Sequence, residues 1–188
     1  MNDLSVRSIV LVAAFTALII VGAIFSFPAP WNPVVPFTLA TMFVILSGMI
    51  LGPWLGMATT ALYVLLGSMG LPVFAGGSAG LQVLFGPTGG FLIGYILAAA
   101  LAGLVVRKAG TSIPALIIAV LVGTLAVYLP GLPWMHYKLL GIVEDWSWAA
   151  TWGKYTAPFL LGDGVKAIAA VFIVHYLKDR IVPSGKNR

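Results

Sequence analysis

The chain has 188 residues, of which 61% are hydrophobic and 8% are charged, whereas about a quarter of the residues of a soluble domain are charged. A water-soluble globule is excluded, because one small core cannot bury so much apolar surface. The net charge of +5 is interpreted as the excess of Lys and Arg in cytoplasmic loops and not as a nucleic-acid interface. The absence of cysteine excludes disulfides and thiolate metal sites, and two histidines are too few for a histidine metal site.

Apolar stretches bounded by Pro, Gly or charge predict six membrane-spanning helices, since a helix needs about 20 mostly apolar residues to cross the hydrocarbon layer. The predicted spans are residues 8–25, 36–51, 54–69, 87–106, 113–129 and 158–177. Residues 51–54 are expected to form a tight helical hairpin between the second and third spans. The chain is therefore predicted to be an all-α membrane protein with a single integral membrane domain over residues 1–188.

The distribution of cations predicts the orientation. Six crossings place both termini on one side, which holds seven of the ten cations, whereas the opposite side has only Lys138 and Lys154. Both termini are therefore expected to be cytoplasmic. The outer connections, 26–35, 70–86 and 130–157, are long, and since loops often carry function we expect the site at the outer face.

Prolines are predicted at the first helical positions of the three spans that run inward, at Pro36, Pro87 and Pro158. If so, three helix N-termini with free N–H groups face the outer loops. Such ends stabilise anionic substrates in transporters.

Asp163 and Lys166 are three residues apart in the sixth predicted span, so a helix places both on one face. A charge at membrane depth costs about 2.5 to 3.5 kcal/mol on insertion scales, and this face is expected to point into the bundle or a polar cavity. One interpretation is an ion pair that only locks the helix to its neighbours. The other is an anchor for a small solute with N–H groups and a carboxylate, since Asp163 accepts and Lys166 donates hydrogen bonds.

A glycine-rich segment, GLPVFAGGSAGLQVLFGPTGG, occupies residues 70–90. Glycine permits positive φ and close approach to a ligand, so we expect a compact loop that folds back into the bundle. The alternative is a turn whose glycines only allow packing. No phosphate-binding pattern is present. The candidate contacts are one apolar and three hydrogen-bonding side chains: Phe74, Ser78, Gln82 and Thr88.

Ala13 and Ala17 form a small-x-x-x-small pattern in the first span, which allows close helix approach in lipid. Packing inside the chain and packing against a partner are both open. The sequence has no nucleotide-binding signature, so uphill transport needs an ion gradient or partner subunits.

Three motifs, in order and at compatible spacing, resemble the BioY family: PVFAGG at 72–77, GPTGG at 86–90 and PF-x-x-GD-x-x-K at 158–166. The similarity covers nearly the whole chain. BioY proteins are biotin-binding membrane subunits, the S components of energy-coupling factor (ECF) transporters. The resemblance implies a six-helix bundle in the cell membrane of a prokaryote that captures biotin from the outer side. It implies a transport subunit and not an enzyme, with no cofactor.

The resemblance also implies residue roles. Asp163 and Lys166 match the family's polar pair, with Asp163 expected to accept from a ureido N–H of biotin and Lys166 to meet its carboxylate. The loop with Gly76 and Gly77 matches the substrate loop. Ala13 and Ala17 lie where S components dock the shared transmembrane T subunit, and two ATPase subunits would drive release while the S component tilts.

The sequence departs from the family pattern at several positions. Members usually read Thr-Leu-Gln where this chain has Ala40 in third place, and the fourth span has no cation before Arg107. Ser78 stands in the loop where some members have an amide. Carboxylate recognition is therefore expected to depend more on Lys166 and helix ends, with a hydroxyl from Tyr95.

The alternatives are an S component for another vitamin, such as thiamin or riboflavin, and a biotin transporter that acts alone. An intramembrane enzyme is disfavoured, since the sequence has no Cys, no paired carboxylates in a predicted span and no H-E-x-x-H motif. A purely structural subunit is disfavoured by the charged pair of Asp163 and Lys166 within a span.

Overall fold

A computed structural model describes residues 5–29, 32–144 and 146–181. The helices and strands, in chain order, are α1 (Val6–Ile24), β1 (Ser26–Ala29), β2 (Asn32–Thr38), α2 (Ala40–Leu51), α3 (Pro53–Ser68), a 3-10 turn (Ala75–Gly77), α4 (Leu81–Leu84), α5 (Gly89–Ala109), α6 (Ile113–Leu140), α7 (Trp148–Tyr155) and α8 (Ala157–Ile181).

Four of these helices are long and apolar enough to cross a membrane: α1, α5, α6 and the Ala157–Leu177 part of α8. Helix α2 is apolar but has only 12 residues, and α3 has 16. Both occupy the positions of the second and third predicted spans. The protein is therefore a mostly helical, multi-pass membrane protein, while the count of six crossings and the side of the termini stay predictions.

The second predicted span begins too early. Its first residues belong to β2, which pairs antiparallel with β1 in the register Ser26 to Thr38 and Phe27 to Phe37. Prolines restrict the residues before them to extended conformations, and two of them, at positions 33 and 36, lie in β2. The prediction of a helix beginning at Pro36 is therefore wrong, and α2 begins at Ala40.

The prediction of proline-led helices is also wrong at Pro87, because α5 begins two residues later, at Gly89. Only Pro158 lies in the first turn of its helix, as the second residue of α8. The electrostatic argument from three proline-led N-termini therefore does not hold for this fold.

The C-terminal end of α6 is a further correction. We expected the fifth span to end at residue 129, but the helix continues through Pro130 and Pro133 to Leu140, and α7 lies in the remainder of the expected loop. Met135 and Leu139, both buried, pack in a small cluster beyond the prolines. Tertiary packing outweighs the low helix propensity of proline here.

Glycines allow the closest helix contacts of the bundle. A Cβ on Gly48 of α2 would overlap the backbone carbonyl of Ala99 in α5, and one on Gly103 would lie 2.6 Å from the carbonyl oxygen of Gly48. The predicted hairpin between α2 and α3 is confirmed, with Gly52 at a φ of 84° as its single connecting residue. Helices α2, α3 and α5 pack closely against one another, and α5 packs most extensively against α6.

Replacing Gly48 with alanine is expected to destabilise the protein by about 1–3 kcal/mol, because the added methyl group meets backbone that cannot move aside cheaply. The measurement is thermal unfolding in detergent. Gly153→Ala is the matched control, since nothing lies within 4 Å of its added Cβ and alanine is the better helix former. An equal melting temperature for Gly48→Ala and the wild type would contradict the close α2–α5 contact.

Candidate functional site

A cavity of about 150 Å³ lies among β2, α2, α3, the glycine-rich loop, α5, α6 and α8. Two side chains of its wall, Asp163 and Lys166, are charged. The hydroxyl-bearing side chains of the wall are Thr38, Thr41, Tyr63, Ser78, Thr88, Tyr95 and Tyr128, and the apolar ones include Phe74 and Phe91. Small-molecule sites combine an apolar wall with a few polar groups in the same way.

Asp163 and Lys166 form an ion pair in the cavity wall. Lys166 Nζ lies 2.6 Å from Asp163 Oδ1, and the side chains are only 14% and 11% exposed, respectively. The Lys166 ammonium also donates to the backbone carbonyl of Thr38, at 3.2 Å. The predicted shared face is confirmed, and Lys166 connects α8 to the end of β2.

Tyr128 is a site residue that sequence reasoning missed. Its hydroxyl donates a hydrogen bond of 2.5 Å to Asp163 Oδ2, and its ring packs edge to face with Phe91, at 6.1 Å between centroids. Each oxygen of the Asp163 carboxylate therefore has a donor from the protein itself. The signal available in the sequence is a polar aromatic residue at the end of an otherwise apolar span.

Other side chains of the cavity wall carry hydroxyl groups or aromatic rings. Tyr95 and Thr41 lie side by side in the wall, with 3.4 Å between their hydroxyl oxygens. Phe74 is 1% exposed and packs edge to face with Tyr63, at 5.5 Å. The ring of Phe74 fills the space beside Gly67 that any side chain there would occupy.

The glycine-rich loop brings some of its predicted contacts to the cavity. Phe74, Ser78 and Thr88 line it. Gly76 and Gly77 are exposed in the 3-10 turn, at φ values of 65° and 76° that favour glycine, and serve to turn the chain between lining residues. The exposed Gln82 donates to the carbonyl of Ala79 at 2.6 Å and does not line the cavity.

Ala13 and Ala17 are both exposed on α1. The face of α1 that packs inside the chain carries Thr16, which is 3% exposed and donates to the Thr59 carbonyl of α3 at 3.2 Å. The alanine pair is therefore free to contact another molecule. Within the described residues, no three His, Asp or Glu side chains are grouped to hold a metal ion.

The fold and the cavity define a multi-pass membrane protein with a charged pair in the wall of a cavity. The chain belongs to the BioY family, whose model matches residues 1–182, and this confirms the resemblance noted in the sequence. Similar proteins are named as transporters and not as enzymes.

Two relatives and one solved structure illustrate the similarity. The biotin transporter BioY of Thermotoga maritima is 53% identical over 102 residues, which are 54% of this chain and 59% of that protein. The probable biotin transporter BioY of Pyrococcus horikoshii is 37% identical over 179 residues, with 92% of this chain and 96% of that protein covered. A crystal structure at 2.1 Å of the S-component for biotin from an ECF-type ABC transporter superposes with a TM-score of 0.82, at 30% identity, over 96% of this chain and 95% of the other.

Tyr128→Phe is expected to destabilise the protein by about 1–3 kcal/mol, because it removes the donor to one oxygen of a nearly buried carboxylate. Thermal unfolding in detergent measures the effect. Tyr137→Phe is the matched control, since it makes the same change on the same helix at a side chain that is 75% exposed. In an Asp163→Ala background, which has no acceptor for the tyrosine, the loss for Tyr128→Phe should shrink, and an unchanged loss would contradict the hydrogen bond.

Proposed function

We propose that this chain is the substrate-capture subunit of a vitamin uptake transporter, which binds biotin in the cavity and delivers it inward with an ATP-driven partner module. The observation that carries the proposal is the Asp163–Lys166 ion pair in the cavity wall. Membership of the BioY family supports biotin as the ligand, as does the similarity to an S-component for biotin.

The ion pair matches the ureido edge of biotin. That edge presents an N–H donor next to a carbonyl acceptor, and Asp163 and Lys166 present an acceptor next to a donor, 2.6 Å apart. The carboxylate has two further lone pairs beyond those used by Lys166 and Tyr128, and the ammonium has three donors in all. Both residues can therefore bind the ureido group while keeping the bonds they already make.

The 2.6 Å between the two charged groups also argues against an arrangement in which Asp163 binds one end of biotin and Lys166 binds the other. Its carboxylate is separated from the ureido group by the fused rings and the valerate chain, so opposite ends of an extended molecule do not reach a closed ion pair together. We therefore revise the assignment made from the sequence, in which Lys166 meets the carboxylate. The acid end is placed toward the exposed Ser78, where neutral hydroxyls and water solvate it.

The cavity has to widen for this ligand. Its volume of about 150 Å³ is below the roughly 300–1,000 Å³ of most small-molecule sites. Strand β2 and the glycine-rich loop both contribute to its wall, through Thr38 and Ser78. Movement of these connecting segments, and not of the packed helices, is the expected response to biotin.

The exposed Ala13 and Ala17 are proposed as the docking face for the T subunit, because small side chains let a second helix approach closely in lipid. Two ATPase subunits then supply the energy, since the sequence has no nucleotide-binding signature of its own. We also propose that the protein lies in the cell membrane of a prokaryote with both termini inside, which the excess of Lys and Arg on the side of the termini supports. A biotin transporter that acts alone is the alternative, and an S component for thiamin or riboflavin is not favoured by the comparisons.

Biotin at submicromolar concentration is expected to raise the melting temperature of the purified protein in detergent, because a ligand that binds only the folded state stabilises it. Thiamin and riboflavin should leave it unchanged. Asp163→Asn should remove the response to biotin, whereas Glu144→Gln, at an exposed position, should keep it. The proposal fails if biotin has no effect or if another vitamin produces an equal shift.

Lys166→Met, assayed with biotin and with biotinamide, decides which end of the ligand the lysine binds. If the ion pair binds the ureido edge, both ligands should lose affinity by the same factor, about tenfold or more for a lost charged hydrogen bond. Isothermal titration gives both dissociation constants. A clearly larger loss for the acid than for the amide would restore the carboxylate to Lys166.

A further inference from the structure

Three residues of α6, Tyr128, Gly131 and Trp134, contact three different elements around the cavity. They follow one another at three-residue spacing, so each lies beside the next on the helix surface. Tyr128 donates to Asp163 of α8. Gly131 leaves room for the ring of Phe91 in α5, and the indole N–H of Trp134 donates to the carbonyl of Gly86 at 2.9 Å.

The Trp134 contact belongs to the second half of the glycine-rich loop. The first half is held by α3, because the Gly80 N–H donates to the Gly67 carbonyl at 2.7 Å and Phe74 fills the space beside Gly67. The backbone bonds of the second half are local: Gly86 donates to Val83 at 3.3 Å, and Gly89 donates to Gly86 at 3.2 Å. Among the hydrogen bonds of the described residues, the bond from Trp134 is the one that connects this half of the loop to another helix.

Packing reinforces this hydrogen bond. A Cβ on Gly90, at the start of α5, would overlap the side chain of Trp134 and lie 2.7 Å from the carbonyl oxygen of Pro130. The ammonium of Lys138, one turn further along α6, lies 5.4 Å from the centroid of the Trp134 ring, within the range of a cation–π contact. The indole is therefore held on two sides while its N–H points to the loop.

We propose that Trp134 is a positioning residue for the ligand site, which fixes the loop wall formed by Val83 and Thr88 through its hydrogen bond to Gly86. Trp134 does not line the cavity, whereas Val83 and Thr88 do. Its effect on a ligand is therefore indirect, through the placement of the wall. The effect on biotin rests on the proposed function, but the effect on the loop does not.

The loop effect is tested by hydrogen–deuterium exchange of the ligand-free protein in detergent. Trp134→Phe keeps an aromatic ring but removes the N–H, so the amides of residues 83–90 should exchange several-fold faster. Trp152→Phe is the matched control, because that side chain is 56% exposed on α7, and it should leave this segment unchanged. Equal exchange in Trp134→Phe and the wild type would overturn the proposal.

The ligand effect is tested by the dissociation rate of labelled biotin. Loss of one net hydrogen bond predicts roughly three- to tenfold faster dissociation in Trp134→Phe, with a melting temperature close to that of Trp152→Phe. Replacing Trp134 with benzothienylalanine, which keeps the shape of the indole but has sulfur in place of N–H, should reproduce the faster rate. A rate in this isostere equal to that of the wild type would overturn the role of the hydrogen bond.

The exchange experiment and the dissociation experiment together distinguish a failure of this proposal from a failure of the proposed function. Faster exchange with unchanged biotin dissociation would overturn the positioning role, because the wall would then move without consequence for the ligand. If the wild-type protein does not bind biotin, the proposed function fails, and the exchange of residues 83–90 alone decides whether Trp134 holds the loop.

Discussion

A carboxylate within a membrane has to find its hydrogen-bond donors inside the protein, and this requirement organises the site around Asp163. Lys166 of the same helix and Tyr128 of α6 each supply one donor. Through Lys166 the same network reaches the end of β2. The solvation of one charge thus connects α8 to α6 and to the strand hairpin. A buried ion pair contributes little to stability by itself, so its value here lies in the polar site that it creates.

The rest of the bundle brings backbones close enough to support that network. Without water between helices in lipid, contact depends on shape, and small residues permit it. Gly48 and Gly103 let α2 and α5 touch at backbone level, and Gly131 accepts the ring of Phe91. Phe91 in turn packs on Tyr128. Close helix packing therefore also orients the tyrosine hydroxyl that donates to Asp163.

Sequence reasoning succeeded where one dominant energy term decides the structure. Apolar length located the main helices, and the three-residue spacing of Asp163 and Lys166 predicted their shared face. It failed where tertiary contacts override local preference. Pro36, which was predicted to start a helix, lies in a strand, and Pro130, which was predicted to follow the end of a span, lies within α6. Tyr128 was missed because its importance arises from a residue 35 positions away, and periodicity carries no information about such pairs.

The hydrogen bond from Lys166 to the Thr38 carbonyl links the entry of a solute into the cavity to its recognition by the ion pair. Thr38 ends the strand whose residues form part of the cavity wall, so the strand hairpin holds one of the lysine's donors while the site is closed. If the strand moves to admit a solute, it gives up this charged hydrogen bond, and its return restores the bond, because the ammonium has a third donor left for the solute. The hairpin and a solute are therefore able to bind the same lysine together.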